Sequence, residues 1–390
     1  MKNNIPRFYV YSAFVALSFS FVAIFMVFMK SRGLSYTEIG IITAWYYSLF
    51  LLIEIPTGML ADKIGRKNTL MMGMIFMIIG ILTALNSYSF LGFFLSETIF
   101  SFARSFQSGT DSAFVYDHLA VMEQSDDYLH IEGKIQTVGF SAHVFGGLLG
   151  AMIAWYSLPA VYAFSALMAL LGLMSTLHLK EPQIVDKQHM KLETFRRHFI
   201  DSLRVINGNP QLLWLLFYSS LIFILLRTGI ISFIQPFLMF LEFPDYGFSF
   251  FDAVMVSGAA LLSWHVLYFE KKLGSKGVFY VLPLAIIIGL AGMGLTMSIW
   301  GLLFYSLTMI SWSFHAPVFR SYLNEHIHDS GKRATILSVE GFISRGLFAL
   351  VSLALGWGLD NLGLSNSLLI MSGCSLLCMM ILLYLKPKQC

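Results

Sequence analysis

The chain has 390 residues, of which 57% are hydrophobic and 12% charged, with a net charge of +3 and a mean hydropathy of +0.73. Soluble domains carry about 25% charged residues, so this composition leaves too little polar surface to face water and excludes a soluble domain; a lipid bilayer is the solvent that accepts it. The three cysteines, Cys374 and Cys378 one helical turn apart and Cys390 at the C-terminus, imply no disulfide framework, and no Cys/His spacing suggests zinc.

Twelve apolar stretches long enough to cross about 30 Å of hydrocarbon follow one another, at 7–29, 37–60, 68–86, 90–112, 134–154, 158–179, 211–240, 249–269, 278–297, 299–322, 333–357 and 364–385. The first, from Phe8 to Met29, is too long for a signal-peptide core and lacks a small-residue cleavage pattern, so it reads as a retained span. All twelve are expected to be helices, because a segment in lipid must satisfy its own backbone hydrogen bonds. With the N-terminus placed in the cytoplasm, 19 of the 25 lysines and arginines fall in cytoplasmic segments and only Lys30 and Arg32 in external ones. That bias predicts a multi-pass protein of the plasma (inner) membrane with both termini in the cytoplasm. Arg104, Arg227, Arg320 and Arg345 fall within spans.

The longest polar break runs from Lys180 to Pro210 and divides the chain into a six-span segment at 1–180, a linker at 181–210 and a second six-span segment at 211–390. Within the linker Leu192, Phe195, Phe199, Leu203 and Ile206 recur at helical steps, which predicts an amphipathic helix on the inner membrane surface. The halves echo each other. Gly133-Lys134-Ile135-Gln136-Thr137 before span five matches Gly331-Lys332-Arg333-Ala334-Thr335 before span eleven, and Ile64-Gly65-Arg66-Lys67 matches Leu273-Gly274-Ser275-Lys276. A duplicated six-helix bundle follows, and parallel repeats of that kind place a substrate site near the bilayer midplane.

Between spans two and three stands Gly58-Met59-Leu60-Ala61-Asp62-Lys63-Ile64-Gly65-Arg66-Lys67. This segment resembles G-x-L-A-D-x-x-G-R-K, the loop signature of the major facilitator superfamily. The resemblance covers the whole chain in architecture and about ten residues in tight motif. It implies an all-α membrane fold of twelve helices in two six-helix bundles. It also implies a conformational latch built from Gly58, Asp62, Gly65, Arg66 and Lys67. In the family the aspartate faces the start of helix eleven, here Lys332 and Arg333. The arginine pairs with an acid at the cytoplasmic end of helix four, here Asp111 or Asp117. Span four carries Arg104-Ser105-Phe106-Gln107-Ser108-Gly109, similar to an R-x-x-Q-G stretch with one residue inserted; its arginine is linked to proton coupling. Span five is similar to the G-x-x-x-G-P-x-x-G-G signature of drug/proton antiporters, with Val138, Ala142, His143, Gly146 and Gly147 at the matching positions, so its first two glycines and its proline are replaced.

Charges within a span cost about 2.5–3.5 kcal/mol on insertion scales, so each needs a reason. Glu97, Arg104 and Asp111 are seven residues apart and predict one polar stripe on helix four. Together with His143, Arg227 and Arg345 they are the candidate substrate and proton pathway; Arg104, His143 and Arg345 are expected at one depth. His143 titrates nearest physiological pH. Glu54, Arg320 and Glu340 are expected to be structural inter-helix charges. No P-loop, H-E-x-x-H or G-x-S-x-G arrangement occurs, which argues against ATP drive and against an enzyme. No metal or cofactor is expected. The expected partners are a small-molecule substrate, protons and the lipid bilayer, with no nucleic acid, for a monomer. The resemblance implies a secondary transporter working by alternating access, with proton-coupled efflux of a hydrophobic or amphipathic solute as the first expectation. A proton-driven importer of a siderophore-like or sugar-like solute is the second, and a non-pumping receptor or lipid-handling protein the rival from another class.

Overall fold

A computed structural model describes residues 4–182, 206, 208–263, 266–326 and 330–387, and among them every regular element is a helix. Residues 192–205 of the expected amphipathic helix, and the side chains of Arg320, Lys332 and Arg333, lie outside the described residues. The chain folds as two compact units. Unit 1 comprises residues 1–34, 45–191 and 243–254; unit 2 comprises 35–44, 192–242 and 255–390. The units therefore do not follow the linker alone, since one short segment of each sequence half is counted with the other half's unit.

Unit 1 is built from α1 (Asn4–Ser18), α2 (Phe25–Ser31), most of α3 (Tyr36–Ile64), α4 (Arg66–Leu85), α5 (Phe90–Gln107), α6 (Thr110–Val121), α7 (Tyr128–Ala154), α8 (Leu158–Leu177) and the first half of α11 (Asp245–Ser263). Its centre is aromatic. Tyr162 packs 4.3 Å from Phe28 and 5.1 Å from Phe21 between ring centres, and Phe21 stacks on Phe100 at 5.2 Å. Small residues let the helices close on one another: a Cβ on Gly80 would lie 2.9 Å from the Phe100 ring, and one on Gly73 would lie 3.3 Å from the Ala103 carbonyl. Ser89 caps α5 by accepting from the Gly92 amide at 3.3 Å.

Unit 2 is built from the first residues of α3, α9 (Pro210–Arg227), a π-helical turn (Thr228–Phe233), α10 (Ile234–Phe240), the rest of α11, α12 (Val266–Thr296, interrupted at Gly274), α13 (Gly301–His326), α14 (Ser330–Asn361) and α15 (Leu364–Tyr384). Asn209 caps α9 through the Gln211 and Leu212 amides, both at 3.1 Å, with Pro210 in the first helical turn where no amide is needed. Serines tie the apolar helices together across unit 2. Ser311 donates to the Leu282 carbonyl at 3.2 Å, Ser372 to that of Ile287 at 3.1 Å and Ser365 to that of Gly294 at 2.7 Å.

Eight helical segments among the described residues are long and apolar enough to cross a membrane: Asn4–Ser31, Tyr36–Glu54, Arg66–Leu85, Ser125–Ala154, Leu158–Leu177, Pro210–Phe240, Ser338–Asn361 and Leu364–Tyr384. Tyr280–Thr296 and Gly301–Phe314 are shorter apolar helices. Leucine and other apolar side chains stay exposed on the described helices and at their ends, with Leu91, Leu129, Trp155, Tyr156, Trp300 and Tyr384 among them, the pattern of a lipid-facing surface with aromatic ends. The chain is a multi-pass membrane protein. The fourth expected span departs from its expectation. It is not one helix over 90–112: α5 stops at Gln107, Gly109 takes a left-handed backbone conformation (φ 73°), and α6 starts at Thr110. An L-residue with a Cβ is disfavoured in that conformation, so the inserted Ser108-Gly109 pair is the break. The predicted stripe is cut there; Glu97 and Arg104 share a helix, and Asp111 belongs to the next one.

Candidate functional site

The Gly58–Lys67 segment turns the chain from α3 into α4. Gly65 adopts φ 96°, which ends α3 and leaves the first amides of α4 without partners inside the helix. Glu181 supplies them. Its two carboxylate oxygens accept from the Arg66 and Lys67 amides, each at 2.7 Å. The carboxylate lies so close over the turn that a Cβ on Gly65 would come within 2.8 Å of it. The anion also sits at the positive end of the helix dipole.

The Arg66 side chain bridges two acids, Asp62 at 2.8 Å and Asp117 at 3.3 Å. Of the two acids expected for Arg66, Asp117 is the one it meets and Asp111 is not. Asp62 is paired inside its own loop. Lys67 Nζ donates to the Leu177 carbonyl at 3.0 Å, Arg7 to the His178 carbonyl at 2.9 Å, and Asn4 exchanges hydrogen bonds with the Lys180 backbone at 2.8 and 3.0 Å. Asn4 Nδ2 also lies 3.3 Å from His118 Nδ1. The last turn of α8 and the three residues after it are thus fastened to the starts of α1 and α4. Gly58 lies in α3, with open space where a Cβ would be.

The α3–α5 seam carries the next group. Ser101 and Ser105 donate to the Tyr46 and Phe50 carbonyls at 3.1 and 3.3 Å, and Ser108 donates to Glu54 Oε1 at 2.7 Å, across the point where α5 ends. Glu54 therefore lies in an inter-helix contact. Arg104 donates to Gln107 Oε1 at 3.1 Å and its guanidinium carbon stands 5.2 Å from the Phe19 ring centre. Asp111 accepts from the Ser112 amide at 2.8 Å, and Ser112 reaches Glu132 at 3.4 Å. Arg104 and Glu132 both act electrostatically on Asp111, and the buried Tyr11 feels both Arg104 and Asp111. Arg104 and Asp111 are thus brought into one neighbourhood despite the break between their helices. The half-buried Glu97 carboxylate makes no hydrogen bond among the described residues.

His143, on α7, meets a residue that sequence reasoning missed. Its Nε2 lies 3.0 Å from Asp252 Oδ2 on α11, with both side chains 31% exposed. The two helices run antiparallel at close range. A Cβ on Gly147 would lie 2.9 Å from Ala253 Cβ, Gly150 faces Ser249, and Trp155 stacks on Tyr246 at 4.5 Å. Gly147 and Gly150 are therefore the contact face for α11, whereas Gly146 meets Ser20 and Leu17.

In unit 2, Glu340 accepts from Ser219 at 2.9 Å and from Ser344 at 3.0 Å, and Ser344 lies 2.9 Å from Ser220. This carboxylate bridges α14 and α9. Arg345 is half-buried on α14, its guanidinium 3.5 Å from where a Gly341 Cβ would be. Arg227 ends α9, exposed, 5.3 Å from the Phe223 ring centre and next to the π-helical turn. At the other end of α14, Asp360 accepts from the Tyr36 amide at 3.1 Å and from the Thr37 amide and hydroxyl at 2.6 and 2.7 Å, capping α3. One turn on, Gly40 and Gly356 cross: a Cβ on Gly40 would lie 2.6 Å from the Ser352 carbonyl and one on Gly356 2.5 Å from that of Tyr36.

Three acids essential to these contacts, Glu181, Asp252 and Asp360, were not among the expected site residues. Asp252 was detectable, since it is an acid inside the expected span 249–269 and the cost that singled out Glu97 applies equally to it. Glu181 and Asp360 sit at helix ends, where an acid is ordinary in sequence and only the fold supplies the amides.

A family model described as Major Facilitator Superfamily matches residues 8–348. Multidrug resistance protein 2 of Bacillus subtilis (strain 168) is 23% identical over 268 residues, 67% of this chain. The matched chain spans 64% of that relative, less than two thirds of its length. Among solved structures, a variant of the nucleoside transporter NupG is similar with a TM-score of 0.84 at 15% identity, covering 99% of this chain and 100% of its own. A POT family transporter in complex with a thioalcohol-conjugated peptide is similar with a TM-score of 0.74 at 14% identity, covering 98% and 96%. At these identities the likeness is one of fold.

Proposed function

The chain belongs to the major facilitator superfamily, and on that premise we propose that it is a secondary active transporter working by alternating access, which exports a small hydrophobic or amphipathic organic solute in exchange for protons. The single observation that carries the transport reading is the built Gly58–Lys67 turn. Arg66 is held between Asp62 and Asp117 while Glu181 caps the helix it begins, an arrangement of fixed charge whose balance a conformational cycle can shift. The twelve-span layout, with bundles at 1–180 and 211–390 joined by a surface linker at 181–210, both termini in the cytoplasm, and a monomer in the plasma (inner) membrane belong to the same proposal.

Solute export is supported by the name of the Bacillus relative and by the Phe19 ring beside the Arg104 guanidinium. Proton coupling is supported by the carboxylates and imidazole held inside the spans, Glu97, Asp111 and His143, with Arg104 as the fixed cation that acts on Asp111. Arg227 and Arg345 are assigned to the solute path, and Asp62 to a partner at the start of α14 in a second conformation. Import of a siderophore-like or sugar-like solute is the second reading, favoured by Val138 and His143 standing where the antiporter signature has glycine and proline.

The test is flux in proteoliposomes with an imposed pH gradient, acid inside, using ethidium as the hydrophobic aromatic probe. The expected result is ethidium accumulation that collapses when the gradient is dissipated. A vesicle population that binds ethidium without gradient-dependent accumulation overturns export, and accumulation only with the gradient reversed supports import.

A further inference from the structure

The contact between α7 and α11 joins opposing features. Along it lie, in order, Trp155 on Tyr246, Gly150 beside Ser249, Gly147 against Ala253, and His143 against Asp252. The glycines permit backbone approach, which favours closure through dispersion contacts. The Ser249 hydroxyl opposes it: it is fully buried and has no hydrogen-bond partner among the described residues, so it regains water only when the seam parts. That unmet hydroxyl opposes closure, and the ionic pair at the end of the seam favours it.

Among the described residues, Asp252 is the charged group that the His143 ring meets directly. The other titratable groups of α7, Tyr128, His130, Glu132 and Lys134, lie nine or more residues away, at least ~13 Å along the helix. On α11 the others are Asp245 and Tyr246, and the latter is engaged with Trp155. The elements packed against α7 bring Arg7, Tyr9 and Tyr11 on α1, Tyr162 on α8, Asp111, Tyr116, Asp117 and His118 on α6, and Asp126 and Asp127 in the 3-10 turn before α7. Among the described residues, none of these forms a hydrogen bond or ion pair with the imidazole. Both side chains are 31% exposed, which gives the ring a route for exchange with water.

We propose that His143 and Asp252 form a proton-operated clasp between α7 and α11. With His143 protonated and Asp252 ionised, the charge-assisted hydrogen bond holds the seam closed. When the imidazolium gives its proton to water, a neutral ring faces the carboxylate, the bond loses about half its strength, and the seam is released. The sign is fixed by that chemistry: closure is favoured as the pH falls through the histidine range and lost as it rises. This deepens the proton-coupled reading above by assigning the coupling site and its partner, Asp252.

The test uses the full chain in nanodiscs, with Cys374, Cys378 and Cys390 replaced by serine and spin labels at Tyr156→Cys and Phe250→Cys, both exposed positions flanking the seam. Distance distributions are recorded from pH 5.5 to 8.5 with no solute added. The ratio of close to separated populations is expected to rise about fivefold at the acid end. His143→Gln and Asp252→Asn should flatten this dependence. His143→Arg, a fixed cation, should hold the close population at every pH, and the exchange His143→Asp with Asp252→His should restore the titration. A wild-type distribution that ignores pH, or a pH response that survives both single substitutions, overturns the clasp. Since no flux is measured, failure here leaves the transport reading standing, and absent gradient-driven flux with an intact pH response defeats the transport reading.

Discussion

Glu181→Ala removes the acceptor of two backbone amides at the first turn of α4, and its effect can be worked from the contacts. Both N–H···O bonds are 2.7 Å long, the short distance of charge-assisted bonds. Loss of a capping side chain costs about 0.5–2 kcal/mol, and loss of an anion at a helix N-terminus a further ~0.3–1 kcal/mol. Because Glu181 is half-exposed, water takes over part of both terms, and a net ~2 kcal/mol is expected in the middle of that range. That corresponds to a change of about thirtyfold in a local opening equilibrium. Hydrogen exchange read by mass spectrometry over residues 60–75 is the direct assay. The Arg66 and Lys67 amides should lose protection by about that factor in Glu181→Ala and by less in Glu181→Gln, which keeps one acceptor oxygen. Substituting Lys67 by alanine removes only its Nζ contact with the Leu177 carbonyl and should leave the same amides protected. Unchanged exchange in Glu181→Ala would mean that the carboxylate does not cap α4 in the membrane, and the argument that the linker's first residues are fastened to the loop would be lost.

Asp62→Asn should slow transport strongly while leaving the amount of protein in the membrane unchanged, because it removes one of the two anions holding Arg66; normal flux would refute a latch. Arg104→Ala should abolish gradient-driven transport and Arg104→Lys should rescue it poorly, since lysine lacks the planar fork that can address Gln107 and an acid together. Glu97→Gln should uncouple proton and solute; a variant of lower thermal stability whose flux keeps its pH dependence would make Glu97 a packing residue. Gly356→Leu should prevent α3 and α14 from crossing, because even a Cβ there meets the Tyr36 carbonyl at 2.5 Å. A crosslink between cysteines at positions 37 and 360, formed in the parent, should fail in that variant, and its survival would refute the close crossing.

Eight of the twelve expected spans coincide with helices long and apolar enough to cross a membrane, and they were legible because lipid enforces one rule: apolar residues for some twenty positions, then a polar break. The Gly58–Lys67 turn was legible because its residues are contiguous, and the expected Arg66–Asp117 pair is present. The stripe on span four was misjudged where helical periodicity was extended through Ser108-Gly109; Gly109 at φ 73° interrupts the register and puts Asp111 on the next helix, while Arg104 bonds Gln107. The carboxylates at helix ends escaped notice for a different reason. Asp360 and Tyr36 are 324 residues apart, and an amide at a helix start carries no signature of the acid that will meet it. His143 was singled out by its position in a span, but its chemistry is set by Asp252, 109 residues away.

The central claim is that solute and protons move in exchange through one protein, and it is tested most directly by letting a solute gradient drive protons. Proteoliposomes are preloaded with ethidium and a membrane-impermeant pH dye, with no pH difference imposed, and diluted into dye-free buffer. As ethidium leaves down its gradient, the account predicts that the vesicle interior acidifies, and that Asp252→Asn lets ethidium leave without acidification. Ethidium exit through the wild-type protein with a constant internal pH, or with alkalinisation as protons leave alongside it, would contradict the exchange.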